Sequence, residues 1–313
     1  MPCPTPSPLS LDSSIPTRWA RLTVECAPAD GEALAAIVVT LIGFGVQIEE
    51  KPGLTQIHAF ISEADDVDAL EERLRERLAA TALATPDGNP LAIERTWIEE
   101  SDWAGSLVDR EPIRVGQRFV VEFVDVDAAE PQPSQVELQP GERVIRLQSQ
   151  MAFGTGDHQT TALCLESLEH LIEPGDRVFD VGTGSGILSI AAVMLGAGEV
   201  TATDNDPTAV AVAQTHCRLN DVADAIAIRL GEGMQGAEGQ YDIVVANVLA
   251  TVIGPLAPTV AFHMKPGGYY IASGATERCE NELKEDFTEA GFQVVAVYRK
   301  GDWICLVGRF PEG

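Results

Sequence analysis

The chain has 313 residues, 45% of them apolar, and a formal net charge of −27 at pH 7. That length suits two domains. Both halves are acidic: 12 Lys and Arg stand against 26 Asp and Glu before residue 148, and 9 against 22 from there on. No basic stripe exists to neutralise a phosphate backbone, so direct nucleic-acid binding is not expected; the charge suits solubility alone, or attraction of a basic protein partner.

The opening segment, MPCPTPSPLSLDSS, has no Lys or Arg and no apolar run, so it does not read as a signal peptide. Residues 1–16 read as a disordered Pro/Ser tail. The longest apolar stretch, Ala33 to Val46, is too short to cross a bilayer. The six cysteines lie far apart with no CxxC pair, against both a zinc site and a disulfide framework. A cytoplasmic protein with reduced thiols, no metal and no membrane contact is expected.

Residues 17–99 predict a small α+β domain. RWARLTVECA reads as a strand and GEALAAIVVTLIGF as a helix ending in glycines. GVQIEE and TQIHAFIS alternate about a Lys51-Pro52-Gly53 turn. Val67, Leu70, Leu74 and Leu78 mark an amphipathic helix within Asp65 to Leu83, and LAIERTWIEE closes as a strand. The order βαββαβ is the ferredoxin-like pattern, which by itself carries no function. Residues 100–147 read as a connector: a short helix near Asp102–Val108, a strand RFVVEF, an acidic loop with three prolines, and a strand RVIRLQ.

In the domain at 148–313, strands and helices alternate. RVFDV (177–181), EVTATD (199–204), AIAIRL (225–230), YDIVVAN (241–247) and YYIASG (269–274) predict a parallel sheet with helices on both faces. FQVVAVY (292–298) and WICLVGRF (303–310) are joined by only four residues, which demands an antiparallel pair. A parallel sheet closed by one antiparallel hairpin strand is the arrangement of class I methyltransferases. The fold class expected is therefore α/β: a Rossmann-like, seven-stranded class I methyltransferase domain preceded by a small ferredoxin-like α+β domain.

The sharpest motif is Asp180-Val-Gly182-Thr-Gly184-Ser-Gly186, between a strand and a helix. Glycines let the backbone turn tightly and approach a ligand closely. A nicotinamide fingerprint would need glycine at position 187, which is Ile187; GxGxG after an acidic residue is the S-adenosylmethionine form. The alternative is a tight structural turn. Asp204 ends the next strand, 18 residues after Gly186, placed to accept ribose hydroxyls, with Asp206 and Pro207 suited to start a helix; a purely structural Asp204 is the alternative. Asn247 ends the YDIVVAN strand on the same sheet edge, as a cofactor or substrate contact or as a loop cap. Upstream, Met151-Ala-Phe153-Gly154-Thr155-Gly156-Asp157-His158-Gln159-Thr160-Thr161 precedes a helix that Thr160 or Thr161 could cap. As a lid over a cofactor, this segment would offer His158 as a polar contact or proton acceptor. The other four histidines, at 58, 170, 216 and 263, read as surface or satisfied core residues.

AFGTGDHQTTALCL, FDVGTGSGILSIAA, the Asp-x-Asp-Pro segment at 204–207 and VVANVLA together resemble the ribosomal protein L11 methyltransferase family (PrmA) across about 148–310, and the βαββαβ unit with the Trp97/Trp103 connector matches its architecture more loosely. Asp157 and Gln159 stand where the family usually has Thr and Pro. The resemblance implies S-adenosyl-L-methionine held by Thr161, Gly182, Gly184, Asp204 and Asn247. It also implies a ferredoxin-like domain that recognises ribosomal protein L11, and methylation of lysine and N-terminal amines. A monomer is expected. Asn247, with its side-chain carbonyl, is a candidate to orient the amine; no general base is marked, and the catalytic residue stays unassigned. The other readings are a methyltransferase for another protein or a small molecule, and a non-catalytic S-adenosylmethionine-binding module.

Overall fold

The computed structural model describes residues 18–42, 46–63, 65–99, 111–124, 136–148 and 158–312. The expected tail at 1–16, the helix near Asp102–Val108 and most of the Pro-rich loop lie outside them, as do Met151 to Asp157. The chain divides into two compact units.

The first unit holds β1 (Arg18–Cys26), α1 (Gly31–Ile42), β2 (Val46–Lys51), β3 (Leu54–Ser62), α2 (Val67–Ala79) and β4 (Ile93–Glu99). Its sheet runs β2-β3-β1-β4 with every pair antiparallel. Period-two alternation puts Ala20, Leu22 and Val24 of β1 opposite Ile61, Ala59 and Ile57 of β3, and all six are buried. Leu34, Ala35 and Val38 of α1 and Leu74 and Leu78 of α2 are buried as well. Asp66 caps α2, accepting the Ala69 N–H at 3.0 Å.

The second unit is built on a seven-stranded sheet of β8 (Arg177–Val181), β9 (Glu199–Asp204), β10 (Ile226–Leu230), β11 (Tyr241–Asn247), β12 (Met264–Thr276), β13 (Gln293–Lys300) and β14 (Trp303–Arg309). The order is β10-β9-β8-β11-β12-β14-β13. The first five strands are parallel, and β14 runs antiparallel to β12 and β13. The helices are α3 (Gln159–Leu171), α4 (Ile187–Leu195), α5 (Pro207–Leu219), α6 (Ala250–Phe262) and α7 (Glu280–Glu289). Adjacent strand residues point into different cores. Val178, Ile243 and Val245 join the cluster with α3 and α4, while Phe179, Val244 and Ala246 join the cluster with α6 and α7. Burial on both faces is why these strands read as unbroken apolar runs.

The segment expected as a connector carries the two strands expected there and one more. β5 (Ile113–Val115), β6 (Phe119–Val124) and β7 (Arg143–Gln148) form their own sheet, antiparallel between β5 and β6 and parallel between β6 and β7. Phe119, Val121, Ile145 and Leu147 are buried in the same core as α3 and α4, and these strands belong to the second unit. Each such side chain contributes roughly 1.5–3 kcal/mol on leaving water. The sequence hid this because β5 has only three residues, and β6 and β7, though parallel neighbours, are separated along the chain by a polar, Pro-rich stretch.

Candidate functional site

The chain leaves β8 at Val181 and turns through Gly182, Gly184 and Gly186 into α4. All three glycines have left-handed backbones, with φ of 70°, 53° and 81°. At Gly182 a Cβ would also lie 2.6 Å from Val248 Cγ1. The turn is held by its neighbour strand: the Gly182 and Thr183 N–H groups donate to the Thr203 carbonyl at 2.8 and 3.0 Å.

Asp204 ends β9 and grips both sides of this edge. One carboxylate oxygen accepts the Gly184 N–H at 2.8 Å, the other the Asp206 N–H at 3.0 Å. A carboxylate has about four acceptor positions, so capacity remains for hydroxyl donors. Asp206 caps α5 as expected, accepting the Thr208 N–H at 2.7 Å, with Pro207 opening the helix.

Asp180 lies under the loop, fully buried. Its Oδ2 accepts from the Thr183 and Ser189 hydroxyls, both at 2.7 Å, while Oδ1 has no hydrogen-bond partner among the described residues. Burial raises its pKa to about 6 against hydrogen bonding from the Ser189 hydroxyl, the Thr183 hydroxyl and the Ser189 backbone, with the Asp204 charge adding to the rise. Thr183 lies in the motif, but its hydroxyl's role, like those of Ser189 and Thr203, has no sequence signal; the helix turn brings Ser189 to the motif and the sheet pairing brings Thr203.

Asn247 ends β11, and its Nδ2 donates to Thr161 Oγ1 at 3.2 Å. Thr161 is buried in the first turn of α3 and Asn247 is half-buried. The helix start differs from expectation. His158, not Thr160 or Thr161, is the cap: its Nδ1 accepts the Thr160 N–H at 3.4 Å and lies 2.7 Å from the Thr160 hydroxyl. With the helix opening at Gln159, Thr160 and Thr161 fall inside it, and the Thr161 hydroxyl is released from capping to meet Asn247. The His158 ring also meets Trp303 edge-on, with centroids 4.8 Å apart. Its Nδ1 is thereby committed to the helix.

Thus Gly184 is linked directly to Asp204 and Gly182 to the neighbouring Thr203 around the ends of β8 and β9, and Thr161 is linked to Asn247 at the end of β11. In an open α/β sheet this carboxyl edge is where ligands bind. The site also fits S-adenosylmethionine chemically. Left-handed glycines bare the backbone, a carboxylate with spare acceptors suits ribose hydroxyls, and a buried carboxylate with an unmatched oxygen suits a cationic ligand.

The family described as ribosomal protein L11 methyltransferase (PrmA) matches residues 18–311. The ribosomal protein L11 methyltransferase of Symbiobacterium thermophilum is 36% identical over 317 residues, covering 94% of this chain and 100% of that protein. That of Geobacter sulfurreducens is 37% identical over 306 residues, covering 93% of this chain and 98% of that protein. Among solved structures, a ribosomal protein L11 methylase from Lactobacillus delbrueckii subsp. bulgaricus aligns with a TM-score of 0.57 and 31% identity, over 64% of this chain and 100% of that one.

Proposed function

The chain belongs to the ribosomal protein L11 methyltransferase family, and from that membership we propose that it transfers methyl groups from S-adenosylmethionine to amines of ribosomal protein L11, both lysine side chains and the N-terminal α-amine. It is an S-adenosylmethionine-dependent protein methyltransferase. The observation that carries the site assignment is the Gly184–Asp204 hydrogen bond beside the left-handed glycine turn. It sets a carboxylate and a bare backbone side by side where a nucleoside's ribose and chain would be read.

In this reading Gly182 and Gly184 give the cofactor close access to the backbone, and Asp204 accepts from its ribose hydroxyls. Thr161 and Asn247 border the reacting end. When bound, S-adenosylmethionine supplies the electrophilic methyl group and the thioether leaving group. A free lysine amine has a pKa of about 10.4 and must be neutral to attack, so the site favours the neutral form by desolvation. Asn247 Nδ2 donates one of its two hydrogens to Thr161, which orients the amide, and the carbonyl Oδ1 is its acceptor for an N–H of the amine, turning the nitrogen lone pair toward the methyl group. Alignment of this kind is the protein's main contribution to a displacement.

The first unit's βαββαβ order and β2-β3-β1-β4 sheet support reading it as a ferredoxin-like domain that recognises L11. The net charge of −27 favours a basic protein partner over nucleic acid. No helix among the described residues is long and apolar enough to cross a membrane, and a cytoplasmic monomer is the simplest setting. The test is methyl transfer from labelled S-adenosylmethionine to purified L11, beside a total ribosomal-protein extract. Label in L11 is expected; label only in another protein would discard L11 as the substrate.

A further inference from the structure

His216 shows no sign of function in the sequence, a single histidine inside a helix. In the structure it is buried, 1% exposed, and both ring nitrogens are engaged. Nδ1 lies 2.7 Å from the Ser185 carbonyl oxygen, and Nε2 accepts the Gln148 N–H at 2.9 Å. A carbonyl can only accept and an amide N–H can only donate. The ring is therefore neutral, with its proton on Nδ1.

The two partners belong to different parts of the second unit. Ser185 sits in the glycine turn, between Gly184 and Gly186. Gln148 ends β7, and the chain runs on from it into the segment that carries Met151 to Asp157. Among the described residues β7 pairs with β6 along one edge only. Its other edge is completed by side chains of α5. Asn220, just past the helix end, accepts the Arg146 N–H at 2.8 Å and donates to the Arg146 carbonyl at 2.7 Å. His216, four residues earlier, takes the next outward-facing N–H, that of Gln148. Together they do for β7 what a neighbouring strand would. Of these two side chains, His216 is the one that reaches past the strand to the turn.

The glycine turn has more conformational freedom to lose than any other kind of segment. Asp204 fixes it through the Gly184 N–H, and His216 fixes it through the next carbonyl, that of Ser185. We propose that His216 is a positioning residue: it clamps the cofactor-binding turn to the exit of β7, so that the turn is already formed when S-adenosylmethionine arrives. This rests on the assignment of the turn as the cofactor site. A turn ordered in advance spares the ligand that ordering cost.

The experiment compares the full chain with His216→Phe, which keeps the ring volume without the hydrogen bonds, and with Asn220→Ala, which opens the β7 edge but leaves the Ser185 contact. S-adenosylhomocysteine affinity is read by calorimetry, folding by thermal melts, and steady-state rates at saturating L11. Binding by the unmodified chain reports on the cofactor site itself; the ratio between the variants reports on His216. Both variants are expected to melt earlier. His216→Phe alone is expected to weaken S-adenosylhomocysteine by about tenfold, the loss of roughly one buried hydrogen bond, and to raise KM for S-adenosylmethionine with kcat kept. Where His216→Phe fails to fold, His216→Gln, whose single amide replaces the two-sided ring, takes its place and is expected to weaken S-adenosylhomocysteine by between about twofold and tenfold. Affinity within twofold of the unmodified chain in the His216 variant, or an equal loss in Asn220→Ala, would overturn the proposal.

Discussion

The Asn247 side-chain amide and the Thr161 hydroxyl, 86 positions apart in the chain, meet at 3.2 Å where β11 ends and α3 begins. One hydrogen bond thereby fixes how the amide is oriented. The carbonyl end is the one that can serve a substrate amine. A threonine that looks like a helix cap in the sequence is, in the fold, the group that orients an asparagine.

Removing either partner should therefore act on the same step. Asn247→Ala is expected to lower kcat by roughly 100-fold, and Thr161→Val, nearly isosteric, by about tenfold, the latter the scale of one lost hydrogen bond. The double variant should be no slower than Asn247→Ala alone, because residues that act as a unit are not additive. Single-turnover rates with L11, alongside S-adenosylhomocysteine binding, check this; full additivity would separate the two roles.

Gly182→Ala should fail through geometry. Its φ of 70° is strained for alanine, and the new methyl would press on Val248 Cγ1 at 2.6 Å. A cost of about 1–3 kcal/mol is expected, with loss of cofactor affinity. A denaturant melt measures the first and calorimetry the second.

Asp204→Ala should weaken S-adenosylhomocysteine by about 100-fold, since hydrogen bonds to a charged group are worth about 1.5–3 kcal/mol. The informative comparison uses an analogue lacking the ribose hydroxyls. It should bind the unmodified chain poorly and lose little more in Asp204→Ala. An equal further loss would mean that Asp204 acts only by holding Gly184 and Asp206.

Asp180 makes stability depend on pH. Its folded pKa of about 6 lies above the 3.8 of an ordinary aspartate, burial being the main cause. The folded state thus binds more protons than the unfolded one between these values, so this group's contribution is greatest at low pH and is lost as pH rises through about 6. Asp180→Asn should remove that dependence. The stability difference between variant and unmodified chain should shift in the variant's favour by about 2–3 kcal/mol from pH 4 to pH 7. Urea melts across this range would show it, and parallel curves would refute it. Retention of so costly a group fits attraction of a cationic cofactor, whose affinity should fall as pH drops below about 6.

Much of this protein was legible because local patterns carry local physics. The strands from β8 to β14 announce themselves as apolar runs of strand length, and the short link between FQVVAVY and WICLVGRF, four residues in the sequence and only Gly301 and Asp302 between the strands as they form, forces the final antiparallel pair. Asp206-Pro207 marks a helix start that needs only its own neighbours. The acidic residue, the three glycines and the aspartate and asparagine at later strand ends mark one sheet edge, since strands of a parallel sheet present their carboxyl ends together.

What the sequence determined by itself was the class of fold, the turn and the edge on which a ligand would sit, because periodicity, glycine spacing and strand ends are properties of short stretches. Only the tertiary structure decided which groups touch. β5 to β7 fold into the core of the second unit because Phe119 and Ile145 find α3 and α4 there, which no short window predicts. His158 takes the cap of α3, and that frees Thr161 for Asn247. His216 joins Ser185 to Gln148 across 31 and 68 positions of chain. Hydrogen bonds between distant residues leave no periodic trace in the sequence, since each depends on where the whole sheet places its neighbours.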